Sequence, residues 1–115
     1  MSVGSGQLEP NEFEIALLKR FAAQDPSLSV DSLHVLSLEF TGVGSFTKFL
    51  CHGSGETKWD RDLRLGVVIS MPGVPSGLDA ILFCTGNHPN FLEICTFGDE
   101  HWDGLYEGFV IPRIV

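Results

Sequence analysis

Between residues 12 and 22 large apolar side chains return every four positions. Phe13, Leu17 and Phe21 form the series, with Ala16 and Leu18 beside them. That is the spacing of one face of an α-helix. Pro10 suits a first helical turn, Asn11 and Glu14 have the spacing of a capping pair, and Asp25-Pro26 ends the element. The pattern therefore predicts a helix from Pro10 to Gln24, with Lys19 and Arg20 towards the end that favours cations. From His34 onward the period shortens to two. In HVLSLEF, Leu36, Leu38 and Phe40 alternate with Val35, Ser37 and Glu39, as in a half-buried strand. TGVG interrupts the run and SFTKFLC resumes it, so Gly42 and Gly44 mark a turn or bulge. HGSGETKWDRD reads as a loop, LGVVISM as a central strand and PGVPSG as a turn. DAILFCTG and FLEICTFG are predicted strands around a turn at NHPN. GFVIPRIV is a last strand that Pro112 confines to an edge or shortens.

A lone amphipathic helix cannot bury its own stripe, and consecutive strands on short turns pair antiparallel. The sequence thus predicts an α+β fold: one N-terminal helix packed on a curved antiparallel sheet of five or six strands. A small bent β-barrel with a leading helix is the alternative closure. The 115 residues fit a single domain, 1–115, in which residues 1–9 are expected to be flexible.

Composition changes this picture in two ways. An apolar share of 43%, with nine Phe and two Trp, suffices for one core. A formal charge of −8 repels phosphate backbones, which argues against nucleic acid and favours a basic protein partner. There is no secretory leader pattern and no run of about 20 apolar residues, so no membrane association is expected and the cytoplasm is the expected location. Three cysteines without regular spacing are not a disulfide framework. Cys84 and Cys95 lie on the two arms of the expected hairpin, and a turn at NHPN would put them on one face of the sheet.

The richest chemistry lies in TFGDEHWDG, where Asp99, Glu100, His101, Trp102 and Asp103 crowd together. Carboxylates near an imidazole suit a divalent cation, but the spacing matches no calcium loop and adjacent acids diverge in an extended chain. No metal and no cofactor is assigned on this basis. The simpler reading is a solvated acidic loop with Trp102 packed on the edge of the core. Trp59 is a second aromatic among charges, and both tryptophans suit interface anchors. Glu93, between Leu92 and Ile94, is expected on the opposite face from them, partnered by Thr47, Lys48 or a backbone amide. The G-x-G of TGVG has strand-like sequence on both sides, so it is a hairpin rather than a phosphate cradle. Cys51 and His52, as neighbours on a strand, point apart and do not form a nucleophilic pair.

Two blocks, TGVGSFTKF and ILFCTGNHPNFLEICTFGDEHW, resemble the signatures of a group of small bacterial proteins with no assigned activity. The shared positions are Thr41, Gly42, Gly44, Thr47 and Phe49, then Leu82, Phe83, Leu92, Glu93, Thr96 and Trp102. Ser45 and Asp103 depart from the pattern, which has an aromatic and a proline there. The resemblance implies no catalytic residue.

The expected function is a non-catalytic, acidic protein-interaction module. It is analogous in size, charge and layout to the immunity proteins that neutralise basic toxins. Its candidate binding residues are Trp59, Glu93, Asp99, Glu100, His101, Trp102 and Asp103. The alternative is a small-molecule or metal-binding protein, possibly an enzyme. A homodimer through an exposed strand edge such as FVIPRIV is a third arrangement.

Overall fold

The computed structural model describes residues 9–31, 33–50 and 60–113. The expectations for Cys51, His52 and Trp59, and nearly all of the loop HGSGETKWDRD, lie outside these residues. The helix α1 spans Glu12–Gln24, and Asn11 caps it. The capping pair is formed in both directions: Asn11 Oδ1 accepts from Glu14 N–H at 2.8 Å, and Glu14 Oε1 accepts from Asn11 N–H at 2.9 Å. Phe13, Leu17, Leu18 and Phe21 are buried, so the four-residue series is the face that meets the sheet. Burial of each side chain contributes roughly 1.5–3 kcal/mol. Asp25 ends the helix with an extended backbone, as Pro26 demands.

Six strands follow among the described residues: β1 Val35–Phe40, β2 Gly44–Phe49, β3 Arg61–Arg64, β4 Ile69–Met71, β5 Val74–Thr85 and β6 His88–Thr96. All pair antiparallel, in the order β1-β2-β6-β5-β3, with β4 also on β5. The sheet stays open, so the barrel closure is not adopted. Nor is it a simple meander. β1–β2, β4–β5 and β5–β6 are hairpins, but β2 pairs with β6 and the chain goes from β2 to the far side of the sheet.

Four details depart from the sequence reading. PGVPSG, expected as a turn, is a turn only at Pro72-Gly73, and Val74 to Gly77 begin β5. Arg61 and Asp62, expected in a loop, begin the edge strand β3. LGVVISM contributes only Ile69–Met71 as strand, and the described part of GFVIPRIV contributes one pair, Ser70 with Val110. The β5–β6 turn is Gly86-Asn87 rather than NHPN, because Thr85 pairs with His88. Pro89 therefore lies within β6, opposite Cys84, where the register shifts. A proline can stand at such an irregularity because it has no N–H to give the ladder.

The turn alone would leave the two cysteines on one face; the extra residue in β6 at Asn90, where the register shifts between Phe83 and Cys84, parts them. Leu82 pairs with Leu92 on the helix side, and Cys84 is fully buried on the same side. Cys95 pairs with Asp79 and stands beside Glu93 on the other face. The two thiols lie on opposite faces of the sheet, which corrects the expectation of a shared one.

The core lies between α1 and the inner face of the sheet. One row runs Leu63, Leu82, Leu92, Thr47, Leu38 from β3 to β1. Its centre is sealed, with Leu82, Leu92 and Thr47 at 0% exposure, while Leu38 at the β1 end is 37% exposed. The cause is width: a helix about 10 Å across covers two strands spaced at about 4.8 Å, not five. The stretch from Trp102 to Ile111 adds cover, with Trp102 in the core and Tyr106, Phe109 and Ile111 packed against it. On edge strand β1 only Val35 is buried, and Leu36 to Phe40 are left exposed.

Candidate functional site

The acidic segment 96–104 does not converge on a point. Its start is fixed by Phe97 N–H to Gly77 O (3.1 Å) and by Thr96 Oγ1 to Gly98 O (3.1 Å). Glu100 turns back onto β5, where Oε1 accepts from Ser76 N–H (3.0 Å) and Oε2 from the Ser76 hydroxyl (3.1 Å). Asp103 caps its own turn by accepting from Leu105 N–H at 3.1 Å. Asp99 and His101 are exposed. Glu100 and Asp103 thus hold loop geometry, each in its own direction. Among the described residues no group of three or more His, Cys, Asp or Glu is placed to hold a metal ion.

Trp102 belongs to the core and not to the surface. It is 4% exposed and meets Phe13 edge-on at 6.2 Å. Its indole N–H donates to Leu105 O at 2.9 Å, and its backbone N–H donates to Gly42 O at 3.0 Å. The simpler reading, Trp102 packed on the core, is the arrangement observed. Its ring and backbone hold segment 101–105 beside the β1–β2 turn. That turn places Gly42 at φ +88°. At Gly44 a side chain would strike Ile94 O of β6, so glycine there lets β2 approach β6.

Glu93 lies on the outer face of the sheet, as its position between Leu92 and Ile94 predicts, but its expected partner Thr47 is elsewhere. Thr47 points inward and donates to Glu14. Glu93 instead stands in an outer-face row that runs Glu39, Phe46, Glu93, Ile81, Arg64. The next row carries Ser37, Lys48, Phe91, Phe83 and Asp62. Phe46 and Phe91 stack at 5.1 Å, and Lys48 Nζ lies 6.0 Å from the Phe91 ring centre. Burial pushes the Cys95 thiol up from its ordinary value, and the nearby carboxylates of Glu93 and Asp79 push the same way.

Two features were not singled out in the sequence. The first is a half-open groove of about 470 Å³ between α1 and segment 30–34, where Ile15, Leu18 and Leu33 meet Lys19, Asp31 and His34. An adjoining hollow of about 370 Å³ shares Asp31, Leu33 and His34 and reaches His88. The second is β1 itself. Leu36 is 50% and Phe40 54% exposed, alongside the half-exposed Leu38, and the Phe40 ring rests on Gly104 next to the exposed Leu105. The alternation of HVLSLEF signalled a strand with an apolar side. It carried no information on whether that side would be covered.

No model of a known protein family matches the chain, nor does any curated protein or solved structure. No helix of the described residues is long and apolar enough to cross a membrane.

Proposed function

We propose that the chain is a non-catalytic protein-interaction module of the immunity-like kind, whose partner is a basic protein. The observation that carries this reading is the exposed apolar pair Leu38 and Phe40 on edge strand β1, with Leu36 exposed at the bulge before them and Leu105 exposed beside Gly104, in a chain with a formal charge of −8. Soluble domains cover such side chains or blunt such edges; where they do not, the pair marks a contact surface. The negative charge steers a basic partner towards it. Support also comes from the acidic segment, whose carboxylates Glu100 and Asp103 serve local hydrogen bonds rather than a reaction centre. The test is affinity capture with the purified chain, followed by reconstitution with the captured protein. A stoichiometric complex with a basic protein, weakened by salt, is the expected result. Capture of no basic protein, together with turnover or specific binding of a small molecule, would overturn it.

A second reading is favoured by the groove at His34. Lys19, Asp31 and His34 over an apolar floor suit a small ligand with both charged and apolar parts. A saturable rise in melting temperature with such a ligand, lost in His34→Ala, would support this reading.

A further inference from the structure

The manner of contact follows from the backbone of β1. Thr41 N–H donates to Gly44 O at 3.0 Å, which fixes Thr41 as a position whose polar groups face β2. In an antiparallel pair these positions alternate. Glu39, opposite Phe46, therefore also faces β2, whereas the N–H and C=O groups of Leu38 and Phe40 face away from the sheet. Among the described residues β1 pairs only with β2. Leu38 and Phe40 thus combine outward-facing backbone groups with half-exposed apolar side chains. β1 carries no proline and no lysine, and its one irregularity, the bulge between Val35 and Ser37, lies before the Leu38–Phe40 stretch.

We propose that β1 is a docking edge that adds one extended strand of a partner, in which a basic residue stands between two apolar ones. The proposal rests on the protein-interaction reading above and specifies its geometry. Only an extended chain satisfies a row of outward N–H and C=O groups. The registers fix its side chains. On the inner face the new strand extends the rows that end in Leu38 and Phe40, which calls for apolar residues. On the outer face it extends the row Glu39, Phe46, Glu93, which ends in a carboxylate and has a second one two strands in. A lysine or arginine there faces Glu39 directly. A second copy of this chain is a poorer occupant, because it brings −8 against −8 and offers no cation on β1.

The probe is a capped seven-residue peptide alternating valine and lysine, at millimolar concentration and low salt. Its controls are the same peptide with glutamate for lysine and one N-methylated along a single edge. Amide hydrogen exchange and chemical-shift changes are read residue by residue. The expected result is exchange slowed at least tenfold at Leu38 and Phe40 by the lysine peptide alone. Leu38→Pro should abolish the effect; it removes an outward N–H and no bond to β2. If that variant does not fold, the N-methylated peptide makes the same test on the native chain. Protection elsewhere, equal effects of the glutamate or N-methylated peptide, or a dimer by light scattering with Leu38 and Phe40 already protected would each overturn the proposal. A basic protein that binds Leu38→Pro as well as the native chain would sink the docking edge and leave the interaction reading standing. Absence of any basic partner would sink both.

Discussion

The Thr47 hydroxyl, in the middle of β2, donates to Glu14 Oε2 on α1 across a distance of 2.5 Å. Both residues are buried, and the other carboxylate oxygen of Glu14 closes the cap on Asn11. One carboxylate thus ends the helix and ties it to the sheet. A buried acceptor that loses its donor costs about 1–3 kcal/mol, more for a charged group. Thr47→Val keeps the shape and removes the hydroxyl, so it should lower the unfolding free energy by at least that amount. Thr47→Ser keeps the donor and should cost less. Urea denaturation of the three proteins checks the order, and equal midpoints for Val and native would contradict the tie.

The cysteines yield a chemical prediction. Cys84 sits fully buried under the helix, and burial pushes its thiol up to about 11. Cys95 lies on the other face and is partly exposed. Mild oxidation should form no Cys84–Cys95 disulfide, since their side chains lie on opposite sides of the sheet. At pH 8, iodoacetamide should label Cys95 slowly and Cys84 only once urea unfolds the chain. Peptide mass spectrometry distinguishes the two. Labelling of Cys84 in the folded protein at the rate of Cys95 would contradict the observed register.

Much of the architecture was legible because it depends on local pattern. The four-residue series and the Asn11–Glu14 spacing predicted the helix within two residues at its start and correctly at its end. The strand-like runs predicted β1, β2, β6 and the part of β5 from Asp79 onward. What the pattern misplaced turned on long-range choices. Gly86-Asn87 is itself a turn signal that the proline of NHPN obscures, and the extra residue at Asn90, which no local pattern marks, is what puts Cys84 and Cys95 on opposite faces. Arg61 became strand because β5 had a free flank to pair with, which polar sequence alone does not reveal. The site was less legible. Acidic residues concentrated between 99 and 103 drew attention, yet Glu100 and Asp103 were spent on loop bonds. The exposure of β1 is a consequence of the width of the helix relative to the sheet, and no local spacing encodes that.

Arg61 joins three distant parts of the chain, and this predicts a pH effect. Its guanidinium meets Asp25 Oδ2 at 2.5 Å just past the helix, while its Nε donates to Gly86 O of the β5–β6 turn at 2.6 Å. The hydrogen bond from the Ser27 hydroxyl, and then that from Arg61, hold the Asp25 carboxyl below its usual value. A lowered folded-state value means stability that is present above the ordinary aspartate range, near pH 4, and lost as pH falls through the folded value. Asp25→Asn should therefore be less stable than the native chain at pH 7, and the gap should be smaller at pH 3. Both groups are solvated, so the gap should be small and should narrow in high salt. Urea midpoints at the two pH values decide it; a gap independent of pH would remove the carboxylate from the account.

Trp102 supplies the last test, because it separates a structural from a recognition role. Its ring sits among Phe13, Tyr106 and Phe109, with Phe13 at the centre: edge-on to Trp102, stacked with Tyr106 at 6.3 Å and tilted to Phe109 at 4.8 Å. Removing an indole from such a cluster leaves a large void, so Trp102→Ala should cost about 3–5 kcal/mol. Trp102→Phe keeps most of the packing and loses the bond to Leu105 O, a cost of about 1 kcal/mol beyond the volume change. Because the ring is buried, the Phe variant should bind any partner of the native chain with unchanged affinity at temperatures where it is fully folded. Phe40→Ser, on the uncovered strand, should show the converse, with little change in stability and weaker binding. Calorimetric melting alongside titration of the reconstituted complex gives both quantities for each variant. A Trp102→Phe protein that is fully folded yet loses its partner would return the indole to the recognition surface.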